Sequence, residues 1–208
     1  MWVGAVVLFF RNRQKHWLPM LLFTPFTQST RQPSFTHHCM SYCATIKNVV
    51  RCLNDLGPDP RQDQFNDLYG YIVWYWNPTS RGYIISYRAF SLGEKSRNLE
   101  LHHGGFSNPN PILVVKFKRP SKWTAAGRQT VMDELTNRIK KGLDHSQHST
   151  VFGLGGIGLH WVVCKMESKD DQPTIVVDWQ DDILSDASYV SFKIIADLVH
   201  SVASASEQ

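Results

Sequence analysis

Residues 1–54 contain no Asp or Glu, although six Lys or Arg fall there. Cysteine is scarce as well. The four at 39, 43, 52 and 164 are too few and too unevenly placed for a disulfide scaffold, so a reducing compartment is expected. No apolar run reaches the roughly 18 residues of a spanning helix, which argues against an integral membrane protein. Low hydrophobicity is absent too. Of 208 residues, 42% are hydrophobic and 12% aromatic, so the chain can bury a core and is not globally disordered.

The remaining charge is segregated. Residues 116–141 carry eight Lys or Arg against Asp133 and Glu134. Residues 165–208 carry three Lys against nine acids. A folded body with separate basic and acidic patches is expected.

Residues 1–39 read as a non-globular leader. Trp2 to Phe10 is apolar, Trp17 to Phe26 is apolar but interrupted by Pro19 and Pro25, and a Thr/Ser/Gln/Pro stretch follows. Positive charge follows the first apolar run, the reverse of a secretory signal. Lack of acids with Arg and Ser/Thr is transit-peptide composition, yet the prolines oppose a clean amphipathic helix. A gene-model artefact with translation starting at Met40, or a disordered leader, is preferred over a targeting segment. The leader is expected to add little stability. Intracellular localisation, cytoplasmic or nuclear, follows, or mitochondrial if the leader is a transit peptide.

A single domain is expected over 40–208. Ser41 can cap a helix whose apolar positions run from Tyr42 through Ile46, Val49, Val50 and Leu53 to Leu56, ended by Gly57-Pro58. Tyr69 to Trp76 and Gly82 to Phe90 are rich in Tyr, Trp, Ile and Val, which predicts a hairpin. Residues 91–110 are polar and read as a loop. Pro111 to Phe117 reads as a buried strand, broken by Arg119-Pro120. Ser121 to Leu143 reads as a helix, with Met132, Leu135, Ile139 and Leu143 on one face. Strands follow over Thr150 to Met166 and Thr174 to Trp179. A last helix, capped by Ser185 or Asp186, carries Tyr189, Phe192, Ile195, Val199 and Val202. The fold class is mixed α/β, with helices flanking a small central mixed sheet.

Five constellations invite chemistry. Gly153, Gly155 and Gly158 form G-x-G-x-x-G, with Asp178 twenty residues on, as in dinucleotide sites. However, Leu159-His-Trp-Val-Val163 follows the third glycine and reads as strand, where such sites need a helix. Nucleotide binding is therefore a minor alternative, and no cofactor is expected. His37-His38-Cys39-x-x-x-Cys43, with His102-His103, supplies metal-ligand types without zinc-site spacing, so no metal site is expected. His145 and His148 read as exposed. Asp178, Asp181, Asp182 and Asp186 could hold Mg²⁺, but acids before a helix need no such role. Tyr69, Tyr71, Trp74, Tyr75, Trp76, Tyr83 and Tyr87 could offer bases a stacking face beside Arg81, Arg88, Lys118 and Arg119, although burial of one strand face is the commoner use.

The fifth is Ile112-Leu-Val-Val-Lys116-Phe-Lys118-Arg119-Pro120. A buried strand ending in an acid, any residue and Lys, then a helix, resembles the core of the PD-(D/E)xK restriction-endonuclease-like fold. There two carboxylates hold Mg²⁺ and the Lys assists water. The order of a leading helix, hairpin, motif strand, helix and further strand also fits. Residues 111–199 further resemble an uncharacterised domain of mushroom-forming fungal proteins, with its Lys-Arg-Pro-Ser turn and Gly-rich segment ending in His-Trp. That second resemblance implies no known activity. Lys116 stands at the acid position and only Lys118 matches, with Asn108 and Asn110 where an Asp is wanted and Glu100 the nearest upstream carboxylate. The resemblance thus implies a degenerate site. Lys116, Lys118, Arg119 and Lys122 are expected to bind DNA or RNA phosphates near a helix N-terminus, without cleavage. An active metal-dependent nuclease and a protein-interaction module with another protein as partner are the alternatives.

Overall fold

The computed structural model describes residues 42–89, 97–104, 111–144, 146–169 and 171–206. The leader over 1–39, the Ser41 cap, Asn108, Asn110 and His145 lie outside these residues.

Helix α1 spans Ala44–Asp55 and buries Ile46, Val50 and Leu53, one residue per turn along its inner face. Gly57, at φ +97°, adopts the left-handed conformation just past its end. Helix α2 spans Asn66–Trp76. Six strands follow: β1 Tyr83–Ala89, β2 Arg97–His103, β3 Pro111–Lys118, β4 Val151–Ile157, β5 His160–Met166 and β6 Thr174–Gln180. Helix α3, Ala125–Leu143, lies between β3 and β4, and α4, Asp186–Ala205, closes the described chain. The strands form one sheet in sequence order. Every neighbouring pair is antiparallel except β3 and β4, which run parallel through the α3 crossover. The mixed α/β class with a central mixed sheet is therefore as expected. Among the described residues no helix is long and apolar enough to cross a membrane.

Two expected elements are corrected. Tyr69 to Trp76 is helix, not strand. Phe65, Leu68, Tyr69, Ile72 and Val73 are buried while Tyr71 and Trp74 are exposed. That burial recurs every three to four residues, and packing along this stripe overrides the β preference of aromatic and branched side chains. The partner of β1 is instead β2, within the stretch expected to be loop. In β2 the buried Leu99 and Leu101 alternate with Glu100 and His102. The polar members disguised the strand, because their partners come from elsewhere in the fold.

Alternation divides the sheet into two faces. Helices α1, α2 and α4 cover one, where Tyr69 stacks on Phe117 at 5.1 Å and Trp161 on Phe192 at 4.1 Å. The indole N–H of Trp161 donates to Ser188 Oγ at 2.9 Å, so its polar edge is satisfied in the core. Helix α3 covers the other face, packing Val131, Leu135 and Ile139 against Val114, Val151, Ile157 and Cys164.

The glycines of β4 explain how α3 comes so close. A Cβ at Gly153 would sit 2.7 Å from Ile139 Cδ1, and one at Gly155 2.8 Å from Val131 Cγ1. On the opposite face a Cβ at Gly156 would lie 1.9 Å from the Tyr69 hydroxyl oxygen. Gly158, at φ +61°, makes the turn into β5, and its N–H donates to the Lys118 carbonyl at 3.0 Å.

Candidate functional site

Val114, Lys116 and Lys118 of β3 face α3, and they change character along the strand. Val114 is buried in the apolar cluster, whereas Lys116 and Lys118 reach a carboxylate on the covering helix. Lys118 Nζ lies 2.6 Å from Glu134 Oε1, and Lys116 Nζ lies 3.7 Å from Glu134 Oε2. Both lysine side chains are mostly covered, their stems lying along the sheet while their heads share one acid. At the strand end Arg119 pairs with Asp59 at 3.5 Å. Asp59 also accepts from the Ser121 backbone N–H at 3.0 Å. That bond, helped by Arg119 and Lys122, holds its carboxyl below the usual range. Lys122 ends a 3₁₀ turn, Pro120–Lys122, immediately before α3.

The four expected phosphate-binding residues therefore do gather at the β3–α3 junction. Glu134 and Asp59 supply counter-charge there, two carboxylates against four cations. The helix start is more closed than expected. Thr124 caps α3, its Oγ1 accepting from the Gly127 N–H at 3.0 Å. Beside it, Trp123 stacks on His160 at 3.8 Å while Arg128 lies 4.8 Å above the ring. Those contacts tie the start of α3 to β5.

On the same sheet face β2 places a second charged group. Glu100 is wholly buried, hydrogen-bonded to Arg138 of α3 and 3.5 Å from His102 Nε2. Ser86 of β1 bonds the same ring nitrogen, Oγ to Nε2 2.9 Å. Ser, His and Glu thus meet, but serine and acid share one nitrogen. A nucleophilic relay needs them on opposite nitrogens, so the arrangement is structural. Glu100, the nearest upstream carboxylate, is engaged with a guanidinium. Among the described residues no group of three or more His, Cys, Asp or Glu is placed to hold a metal.

Other sequence candidates fall apart spatially. Gly153 and Gly155 lie inside β4 with α3 pressed on them, and no helix follows Gly158. Asp178, on β6, is separated from β4 by the whole of β5. The space a pyrophosphate would need is filled by Ile139, Val131 and Tyr69. Asp182 caps the turn before α4, accepting from the Leu184 N–H at 2.9 Å, and Asp186 occupies the first turn of that helix. Of the aromatic set, Tyr69 to Trp76 lie in helix α2 and only Tyr83 and Tyr87 in a strand, β1, where Tyr83 is buried.

His148 corrects another expectation. It is buried, 4% exposed, with Nδ1 bonded to Ser206 Oγ at 2.8 Å. Burial, then the nearby His103 and His102, hold its pKa below the ordinary 6.5. Burial lowers those of His160 and His200 in the same way. These rings are neutral in the fold, and below the ordinary value the unfolded chain takes protons more readily. Stability should therefore fall as pH drops from about 6.5 toward the folded pKa values. The thermal midpoint should decline between about pH 7 and pH 5, less steeply in His148→Asn. A flat or rising midpoint over that interval would contradict this.

Sequence reasoning missed Glu134 and Arg138. A signal existed: they stand four apart on a helix, and Lys116 and Lys118 stand two apart on the strand before it. Those spacings put each pair on one face. No family model, curated protein or solved structure matches this chain.

Proposed function

We propose that residues 40–208 form a binding domain of degenerate nuclease-like type, taking nucleic-acid phosphates at the β3–α3 junction. The observation that carries it is the excess of positive charge there, with Lys116 and Lys118 on one strand face and Arg119 and Lys122 following. The order α2, β1, β2, β3, α3, β4 supports the nuclease-like part. It has a leading helix, an antiparallel meander ending in the motif strand, and a helix returning to a parallel strand. Lys116 at the position of a metal-binding acid, paired to Glu134, supports the degenerate part. A cation there repels Mg²⁺ and attracts phosphate.

Binding should be sensitive to salt and show little sequence preference, since phosphate contacts position rather than specify. Fluorescence anisotropy with labelled DNA and RNA duplexes and single strands measures it. Lys118→Ala with Arg119→Ala should weaken binding and flatten the slope of log affinity on log salt by about 0.7–0.9 for each phosphate no longer neutralised. No binding at low salt would overturn the proposal. Cleavage in Mg²⁺ that Lys118→Ala abolishes would establish an active nuclease instead.

A further inference from the structure

Helix α4 is apolar on both sides. Its inner face buries Phe192, Ile195, Ala196 and Val199. On the outer face Val190, Ile194 and Leu198 are 39%, 54% and 39% exposed. These three stand four apart and form a continuous ridge along the helix. Ala187 and Ser191, both small, line the groove beside it. A contiguous exposed apolar ridge is a candidate contact surface.

We propose that this ridge is a homodimer interface in which α4 packs against α4 of a second copy. Two features select a second copy over an unrelated partner. First, the ridge is symmetric about Ile194, with a branched apolar residue four positions before and after it. A two-fold axis through Ile194 therefore sets Val190 against the partner's Leu198 at both ends. Ridges of four-residue spacing interdigitate when helices cross at about −50°, and the small groove residues admit that approach. Second, Lys193 and Asp197 lie exposed on one flank of the ridge. The same two-fold axis brings Lys193 of each copy beside the partner's Asp197, giving two opposite-charge contacts. The interface is thus complementary to itself in shape and in charge. It lies on the sheet face opposite α3, so dimerisation leaves the β3–α3 junction open and does not depend on nucleic-acid binding.

Sedimentation velocity of the full chain across micromolar concentrations tests this. A concentration-dependent dimer is expected, and Ile194→Asp should weaken it at least tenfold with the far-ultraviolet circular dichroism unchanged. Lys193→Asp and Asp197→Lys, each alone, should weaken self-association through like-charge contacts. Mixed together, the two variants should pair preferentially with each other. A chain that stays monomeric throughout, a dimer indifferent to Ile194→Asp, or the absence of mixed pairing would each overturn the proposal.

Discussion

Gly156→Ala should destabilise the domain by about 3 kcal/mol, the upper end of the cost of overfilling a packed core. The new methyl carbon would lie 1.9 Å from the hydroxyl oxygen of Tyr69 and 2.2 Å from its Cζ. Tyr69 cannot swing away. It is fully buried, stacked on Phe117, and its hydroxyl donates to the Gly158 carbonyl at 3.0 Å. For a domain of this size that cost lowers the thermal midpoint by roughly 6–12 °C. The cause is separable from any backbone effect of alanine. In a Tyr69→Leu background, itself destabilised by a cavity, Gly156→Ala should cost little or help. Urea unfolding of the four proteins supplies the cycle. Additive effects, or a single-variant cost below about 0.5 kcal/mol, would show that the collision is relieved by another route.

Arg138→Met should cost about 3–5 kcal/mol, because it strips the guanidinium from a carboxylate buried out of reach of water. Glu100 is 0% exposed, and the Arg138 side chain is 12% exposed. Replacing both partners, Glu100→Leu with Arg138→Met, should recover much of that stability, since no buried charge is then left behind. By contrast, Glu134→Gln at the more exposed lysine pair should cost no more than about 1 kcal/mol. If Arg138→Met were as mild as Glu134→Gln, the buried carboxylate would have to be neutral or otherwise held.

The sequence was legible where one signal dominated. Strand β3 is an unbroken apolar run, α3 repeats at helical spacing, and Leu159-His-Trp-Val-Val163 follows its glycine turn with strand-forming residues as expected. It misled where two signals conflicted. In α2 the side-chain types favour strand while the spacing of Leu68, Tyr69, Ile72 and Val73 favours helix, and packing follows spacing. In β2 the decisive fact is that Glu100 and His102 face inward. That cannot be read locally, because the groups that accept them, Arg138 and Ser86, lie far along the chain. The charged junction was half legible for the same reason. Lys116 and Lys118 announce themselves at the end of an apolar strand, but Glu134 belongs to the site only once α3 has folded back. The glycine fingerprint is a further case of shared appearance. Glycines that admit a phosphate and glycines that admit a helix or a tyrosine look alike until their neighbours are known.

The single parallel junction of the sheet has a consequence for assembly. β1–β2–β3 and β4–β5–β6 are each runs of strands that follow one another in sequence and pair with their immediate neighbours. Their hydrogen-bond ladders close over short stretches of chain. Only β3 and β4 must find each other across an intervening helix, so that one joint carries the largest loop-closure entropy in the sheet. It is also where β4 has given up side chains at 153 and 155 to let α3 sit down. The two halves are thus joined where helix and backbone approach most closely, and an added methyl group at 153 or 155 would press on Ile139 or Val131.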